Sequence, residues 1–466
     1  MTKRTELNAL FASSTNCLGR RLWGRAGLVA LLLSSMAWAQ TPASDLFKYT
    51  VQKGDRLGTL LGSVVQLPNG PERALKDLQG MNTHVDLHNL RAGQNILIPN
   101  AWLQARANLA RVTQLQCSSR SWPEVANPET KQLNLGDEIG EGSLLRVPSG
   151  CQVMLTLEDG SRIQLPSGAV MEITSLRTPK VLNAPQVRLK LHEGRVGLDI
   201  FNKRPANSVF EIQTPMSLAG VRGTQFRVGY ESNLKNSTVE VLQGEVKNQG
   251  QGDNKPSILP KGTGQRVGAT GAGEPPQILP LAPAFERYDD DGRMNAGQLR
   301  FAASPDASAY AWRNTVAVNQ FGVAAQRSSL ALNLRVASLG SRAQAWHVSS
   351  IERSGLQGLE NSFALCHTEG PAEGSYCSVA FDTSSFSELP MRLVLYRVNV
   401  SGEHQPVLRS ERNGPVNGSL WLGALPPGLY FYELSHLPAH KDANNLNHWV
   451  TQAGQFQLIN VNIWQH

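Results

Sequence analysis

Residues able to do chemistry are sparse in this 466-residue chain, and their spacing argues against most reactions. Ser232 and Lys235 are three apart, as in a serine activated by a lysine, but they sit in the polar stretch "ESNLKNS" with no supporting motif. His84 and His88 are four apart, and so are His436 and His440. Metal ligation needs convergent ligands and an outer shell that orients them, so both pairs are read as solvated. The run Asp289-Asp290-Asp291-Gly292 lacks the ligand spacing of a calcium loop and reads as a turn. Gly262, Gly264 and Gly268 are not flanked by a strand-to-helix transition, so they make no phosphate loop. Neither His-Glu-x-x-His nor Gly-x-Ser-x-Gly occurs. The expectation is a chain with no catalytic residue, no metal and no cofactor.

The elements that must position any binding site are mostly strands. Hydrophobic residues make up 41% of the chain but aromatics only 6%, with 42 glycines and 26 prolines. That balance suits β modules joined by tight turns, and the length suits two to four of them. The net charge of +7 is uneven. Residues 1–39 hold five basic side chains and one acidic; removing them from the 44 and 37 of the whole chain leaves 39 and 36. The basic character belongs to the first segment, which excludes a broad nucleic-acid-binding surface.

That first segment has the pattern of an export signal over residues 1–39. "GRRLWGR" supplies positive charge, "AGLVALLLSSMA" an apolar run, and Ala37-Trp38-Ala39 a cleavage site before Gln40. The apolar run is shorter than the roughly 20 residues that span a bilayer. No other stretch is long enough, so the expected mature protein is exported to the periplasm or cell envelope without a stable span. An uncleaved anchor is the competing reading. Cys117, Cys151, Cys366 and Cys377 remain beyond the signal, an even number suited to an oxidising compartment. Of three possible pairings, Cys117–Cys151 and Cys366–Cys377 are favoured because each falls inside one apparent module. "CHTEGPAEGSYC" reads as a hairpin closed by its own cysteines. Four free thiols or a metal site are the alternatives.

Residues 47–99 read as strand, helix, helix, strand. "FKYTVQ" alternates, Lys53-Gly54 turns, and Asp55 is placed to cap a helix carrying Leu57, Leu60, Leu61 and Val64. Pro71 opens a second helix with Ala74, Leu75 and Leu78 on one face, and "LRAGQNILIP" closes the unit. "YTVQKGDRL" and "LRAGQNILIP" together resemble a LysM domain. The resemblance implies binding to the N-acetylglucosamine-containing backbone of peptidoglycan, in a groove lined by Gly54, Asp55, Arg56, Leu57, Asn82, Thr83 and His84. Arg56 departs from the usual Ser or Thr, and Gly58 from a common aromatic. The Gly54-Asp55 pair also has a purely structural reading, as a turn with a helix cap.

Residues 102–115, "WLQARANLARVTQL", read as a short helical linker. Beyond it, residues 117–268 alternate as strands. Asp159-Gly160 and Glu193-Gly194 mark hairpin turns, and the whole fits a sandwich, jelly roll or short solenoid. "LEDGSRIQLPSGAVMEI", "VRLKLHEGRVGLDI", "FEIQTPMSLAGVRGTQFRV" and the closing hairpin "VEVLQGEVKN" resemble a FecR domain. Members of that family relay signals across the periplasm to a sigma factor through a membrane span and a cytoplasmic head. Neither is apparent here, so the resemblance implies an exported scaffold or sensor domain with an envelope protein partner. In its Arg222-Gly223-Thr224 turn, Arg222 either bridges to a carboxylate such as Asp199 or presents a positive tip to that partner.

Residues 269–285 are rich in Gly and Pro and read as a linker. Two β modules at 286–378 and 379–466 resemble fibronectin type III or immunoglobulin-like sandwiches. Trp312, Trp346, Trp421 and Tyr430 are read as their core. The overall expectation is a multidomain, mainly β, non-catalytic protein. It tethers to peptidoglycan and presents the FecR-like domain; the alternative is a periplasmic sensor whose LysM-like unit is only structural.

Overall fold

The computed structural model describes residues 46–63, 65, 71–118, 120–200, 205, 207–290, 297–302, 304–319, 326–328, 333–336, 339–368, 376–383, 390–412, 419–436 and 450–460. The expected signal at 1–39, His440, Asp291 and Gly292 lie outside the described residues. The chain is mainly β, as its alternation predicts.

At the N-terminus, strands Leu46–Thr50 and Asn95–Pro99 pair antiparallel, with Tyr49 opposite Ile96. Helices Leu57–Ser63 and Pro71–Met81 lie between them in sequence, in the expected β-α-α-β order. Leu60, Leu78, Leu87, Ile96, Ile98 and Leu103 form the core. Leu182, from a turn of the following domain, packs on it.

Residues 102–115 are not a helix. Ala105–Ala107 and Ala110–Cys117 are strands, the latter paired along its length with Cys151–Leu157. Ala, Leu and Arg favour helix in isolation, but that ladder and the burial of Ala110 and Val112 outweigh the preference.

From Ala105 to Ile278 the strands form two sheets that share one member and close as a barrel. The shared strand is Gln186–Asp199. Its first half pairs with Val170–Pro179 and, in parallel, with Val209–Gln213. Its second half pairs with Arg162–Leu165 and Gln225–Glu231. Glu193-Gly194 is therefore a bend inside one strand and not a hairpin turn. Gly194 takes φ +84°, and a Cβ there would lie 2.7 Å from the Gly168 carbonyl oxygen. The register slips just before it, where Val170 pairs with Glu193 but Met171 with Leu191, as at a bulge. Gly244 (φ +83°) likewise makes a corner and no hairpin. Asn236–Gln243 pairs with Gln225–Glu231 and Thr263–Val267, whereas Glu245–Gly250 pairs with Ser217–Val221 and Ser257–Pro260 in the other sheet. Asp159-Gly160 is the predicted hairpin, joining Cys151–Leu157 to Arg162–Leu165. Val112, Leu155, Ile163, Leu189, Leu198, Phe226 and Val241 fill the space between the sheets.

The expected linker at 269–285 is tied down. Gln277–Ile278 pairs with Thr263-Gly264, and Leu279 is buried. The carbonyls of Pro280, Leu281 and Pro283 accept bonds from Leu359 N (3.1 Å), Ser350 Oγ (2.7 Å) and Asn361 Nδ2 (2.9 Å).

Past Phe285 the strand pairing departs from two separate sandwiches. The expected boundary at 378/379 cuts strand Cys377–Asp382. One eight-stranded sheet draws from both sides of it: residues 326–328, 307–315, 344–352, 361–366, 450–460, 428–436, 391–398 and 404–412, in spatial order. One core, including Val318, Ala364, Phe381, Leu393, Tyr430 and Phe456, spans the boundary too. Trp346 and Tyr430 are buried and Trp312 packs at a core edge. Trp421 is no core residue: it is 37% exposed, with the Arg342 guanidinium 5.2 Å from its ring centroid.

Both favoured cysteine pairs are disulfide-bonded. Cys117 and Cys151 face each other across paired strands. Cys366 and Cys377 do not close a hairpin; they join the eight-stranded sheet to the two-stranded Cys377–Asp382/Ser419–Leu425 sheet.

Gly194→Ala adds a side chain where both φ and space forbid one, so it is expected to lower stability by about 2–3 kcal/mol. Gly220→Ala, with nothing within 4 Å of its added Cβ, should change stability by less than about 0.5 kcal/mol. Urea unfolding of the two variants measures the contrast.

Candidate functional site

The Gly54 turn is exposed and built by its neighbours. Gly54 has φ +96°. The Asp55 carboxylate accepts from Gln52 N at 2.7 Å and from Tyr49 Oη at 2.8 Å, so it clasps the turn from within and does not cap the helix, which begins at Leu57. Burial and that bond to Asp55 push the Tyr49 hydroxyl's pKa up to about 12. Arg56 is exposed and Leu57 half-buried. Across the loop, Thr83 and His84 are exposed, but Asn82 is fully buried. Its Nδ2 donates to Leu78 O and Leu97 O, both at 2.8 Å, and its Oδ1 accepts from Leu97 N at 2.6 Å. Asn82 therefore staples helix to strand and has no amide to offer a sugar. Backbone bonds bring Gly93 and Gln94, and not 82–84, directly beside Val51 and the turn.

Arg222 is exposed at the tip of its turn. Asp199, the carboxylate suggested for it, is held by Arg162 at 2.6 Å. Gly223 takes φ +65°, and Thr224 Oγ1 donates to Glu245 O at 2.9 Å, packing the turn against the Gly244 corner.

A larger constellation lies on the outer face of the second barrel sheet. Two Arg-Val-Gly triplets, 195–197 and 227–229, run antiparallel, so each arginine stands opposite the other's glycine. Gly229 leaves room for Arg195, whose Cγ would be 3.2 Å from an added Cβ. Arg227 is fully buried, with Nε 3.3 Å from Glu240 Oε2, and Arg195 Nη1 lies 2.8 Å from Glu240 Oε1. The C-terminal unit completes the set. Arg195 Nη2 donates to Gly355 O at 2.6 Å, and Arg227 Nη2 to Gln357 O at 2.8 Å and Gly358 O at 2.6 Å. Glu240 Oε1 accepts from Gln357 N at 3.1 Å. Glu360 lies 3.7 Å from Arg227 and 3.0 Å from Arg313. Beside this group, Asp382 lies 3.9 Å from Arg162 and accepts from Gln114 Nε2 at 3.4 Å.

Burial raises the cost of every charge here, and the partners decide the outcome. Burial pushes the Glu240 carboxyl up, but Arg195 and Arg227 pull it down further, so its pKa ends below 4.5. Burial pulls Arg162 down, and Asp199 and Asp382 more than reverse it. For Arg227 burial wins, and its pKa is lowered. His347, bonded to Ser362 and Thr315, is driven well below 6.5 by burial and then by Arg313, so it sits in the fold as neutral imidazole.

None of these seam residues stands out by type alone. The visible signal is the repeated Arg-Val-Gly; the covering residues, Arg313, Gly355–Glu360 and Asp382, lie far downstream in sequence. Among the described residues no three His, Cys, Asp or Glu side chains form a metal set, and no helix is long and apolar enough to cross a membrane.

Residues 143–247 match the FecR protein family. The chain thus contains a FecR domain, and Arg162, Arg195, Asp199, Arg227 and Glu240 all belong to it. Arg313, Gly355–Glu360 and Asp382, which cover them, lie outside the match. No curated protein matches the chain. Two solved structures of a proposed anti-sigma factor from Parabacteroides distasonis are similar at 20% identity and a TM-score of 0.24. The match covers 29% of this chain and 59% of theirs, so the chain spans little over half the length of those solved proteins.

Glu240→Gln leaves two buried arginines short of charge and is expected to cost about 3–5 kcal/mol, measurable by denaturant unfolding. The pH response has two steps. Stability falls as pH drops below 6.5, where the unfolded chain takes up a proton that His347 refuses in the fold. Glu240 contributes fully above 4.5, and its contribution is lost as pH falls through its depressed folded value. Melting temperatures at pH 7.5 and 5.5 should differ, and the difference should shrink in His347→Asn.

Proposed function

We propose that this chain is a non-catalytic, exported envelope protein of signalling or scaffolding type. Its FecR domain recognises a protein partner, and its N-terminal unit tethers it to peptidoglycan. The FecR domain at 143–247 carries the reading. Export is supported by the signal-like first segment and by two disulfides, which persist in oxidising compartments. The β-α-α-β order and the exposed Gly54 turn support glycan binding, with Gly54, Arg56, Leu57, Thr83 and His84 as the contact set and Asp55 as its internal clasp. Weak sugar contacts suffice, because tethering raises the local concentration of the FecR domain near an envelope partner.

A second reading keeps the FecR role and makes residues 46–99 a structural cap. The internal use of Asn82 favours it. Co-sedimentation of the chain from Gln40 onward with purified peptidoglycan separates the two. Tethering predicts pelleting that falls at least five-fold in an Arg56→Ala/His84→Ala double variant with unchanged melting temperature. A native chain that stays in the supernatant overturns it and leaves the structural cap.

A further inference from the structure

The FecR domain holds the loop 355–360 as a protein holds a bound peptide. Arg195 and Arg227 donate three bonds to the backbone carbonyls of Gly355, Gln357 and Gly358, and Glu240 accepts the Gln357 amide. These four contacts read main chain and ignore side-chain identity. Two further contacts are selective. The Glu360 carboxylate lies 3.7 Å from Arg227 across the closure, and Arg313 of its own unit supports it at 3.0 Å. Leu356 enters a notch left by Gly264, whose added Cβ would lie 3.0 Å from Leu356 Cδ2. Small residues are required where the segment runs closest: a Cβ on Gly358 would sit 2.3 Å from Pro280 O, and Gly355 takes φ +87°.

The closure is charge-matched and not greasy. The FecR side brings Arg162, Arg195 and Arg227 against Asp199 and Glu240; the covering side brings Glu360 and Asp382 against Arg313. Each side is thus one charge from neutral, with opposite sign. Several buried atoms still make no hydrogen bond, among them Arg195 Nε, Arg227 Nε and Nη1, and Glu240 Oε2. A buried ionic closure of this kind adds little net stability compared with an apolar one, because each charge gives up its water.

We propose that this face is the recognition surface of the FecR domain for a glycine-containing, turn-forming acidic segment of a partner protein, and that Gly355–Glu360, one arm of the hairpin that turns at Glu352–Gly355, occupies it in cis. The inference rests on reading the FecR domain as a partner-recognition module. Release of the C-terminal unit uncovers Arg195, Arg227 and Glu240 together, and a partner segment with a leucine, a glycine and a carboxylate at the same spacing takes the vacated place.

The test uses the chain from Gln40 onward and a fluorescent peptide of residues 353–361. Native-state hydrogen exchange should show the Gln357, Gly358 and Leu359 amides exchanging at least a hundredfold faster than Val228 and Val239 in the barrel. The peptide should bind a Glu360→Gln/Asp382→Asn chain at least tenfold more tightly than the native chain. A peptide with the Glu360 position changed to glutamine should bind at least fivefold more weakly. Loop amides that exchange at the barrel rate overturn the proposal on the native chain alone, whether or not the variant folds. So does a folded variant that takes up no peptide. Either failure leaves the peptidoglycan test untouched, because that experiment reads residues 46–99.

Discussion

Packing eight ionisable side chains between two β units, six of them buried, is the constraint on which the rest of this structure depends. Four arginines and four carboxylates meet there: Arg162, Arg195, Arg227 and Arg313 with Asp199, Glu240, Glu360 and Asp382. An isolated buried charge costs several kcal/mol. In the closed arrangement every partner must be in place, so closure sets the barrel, the segment after it and the C-terminal sheet in one relation. The bonds from Leu359, Ser350 and Asn361 to the carbonyls of residues 280–283 do that holding. A sequence rich in Gly and Pro is thus tied down by specific hydrogen bonds when the units are closed.

The same demand explains where glycine is placed. Gly197 and Gly229 stand opposite the two arginines, and Gly229 gives Arg195 room to lie along the sheet. Gly194 and Gly244, both at positive φ, let the chain pass from one barrel sheet to the other without breaking. One population of glycines serves side-chain space, the other backbone direction.

That division also shows why some of the molecule was legible in the sequence and some was not. Alternation revealed the β class, and Asp159-Gly160 revealed its hairpin. Glu193-Gly194 looks the same on paper, because positive φ serves bulges as well as turns. The stretch after Trp102 looks helical, because a strand's partner 40 residues away leaves no local trace. At the candidate sites, the exposed Gly54 turn follows from composition, and Asn82 does not: its burial depends on where Leu97 lies. The ionic face was hidden for the opposite reason. Charges on alternate strand positions look solvated until the covering loop is known.

The strand shared by the two barrel sheets has a mechanical consequence. Gln186–Asp199 is 14 residues long, about 45 Å of continuous backbone. One end begins just after Leu182, which packs on the N-terminal core; the other end carries Arg195 and Asp199 into the ionic closure. Tension between the two ends of the protein would load this strand lengthwise. Its ladders would be strained in shear, many hydrogen bonds at once, and not peeled one by one. A pull on the N-terminal unit would thus arrive at the charged face as a displacement of Arg195, with the barrel acting as a stiff strut.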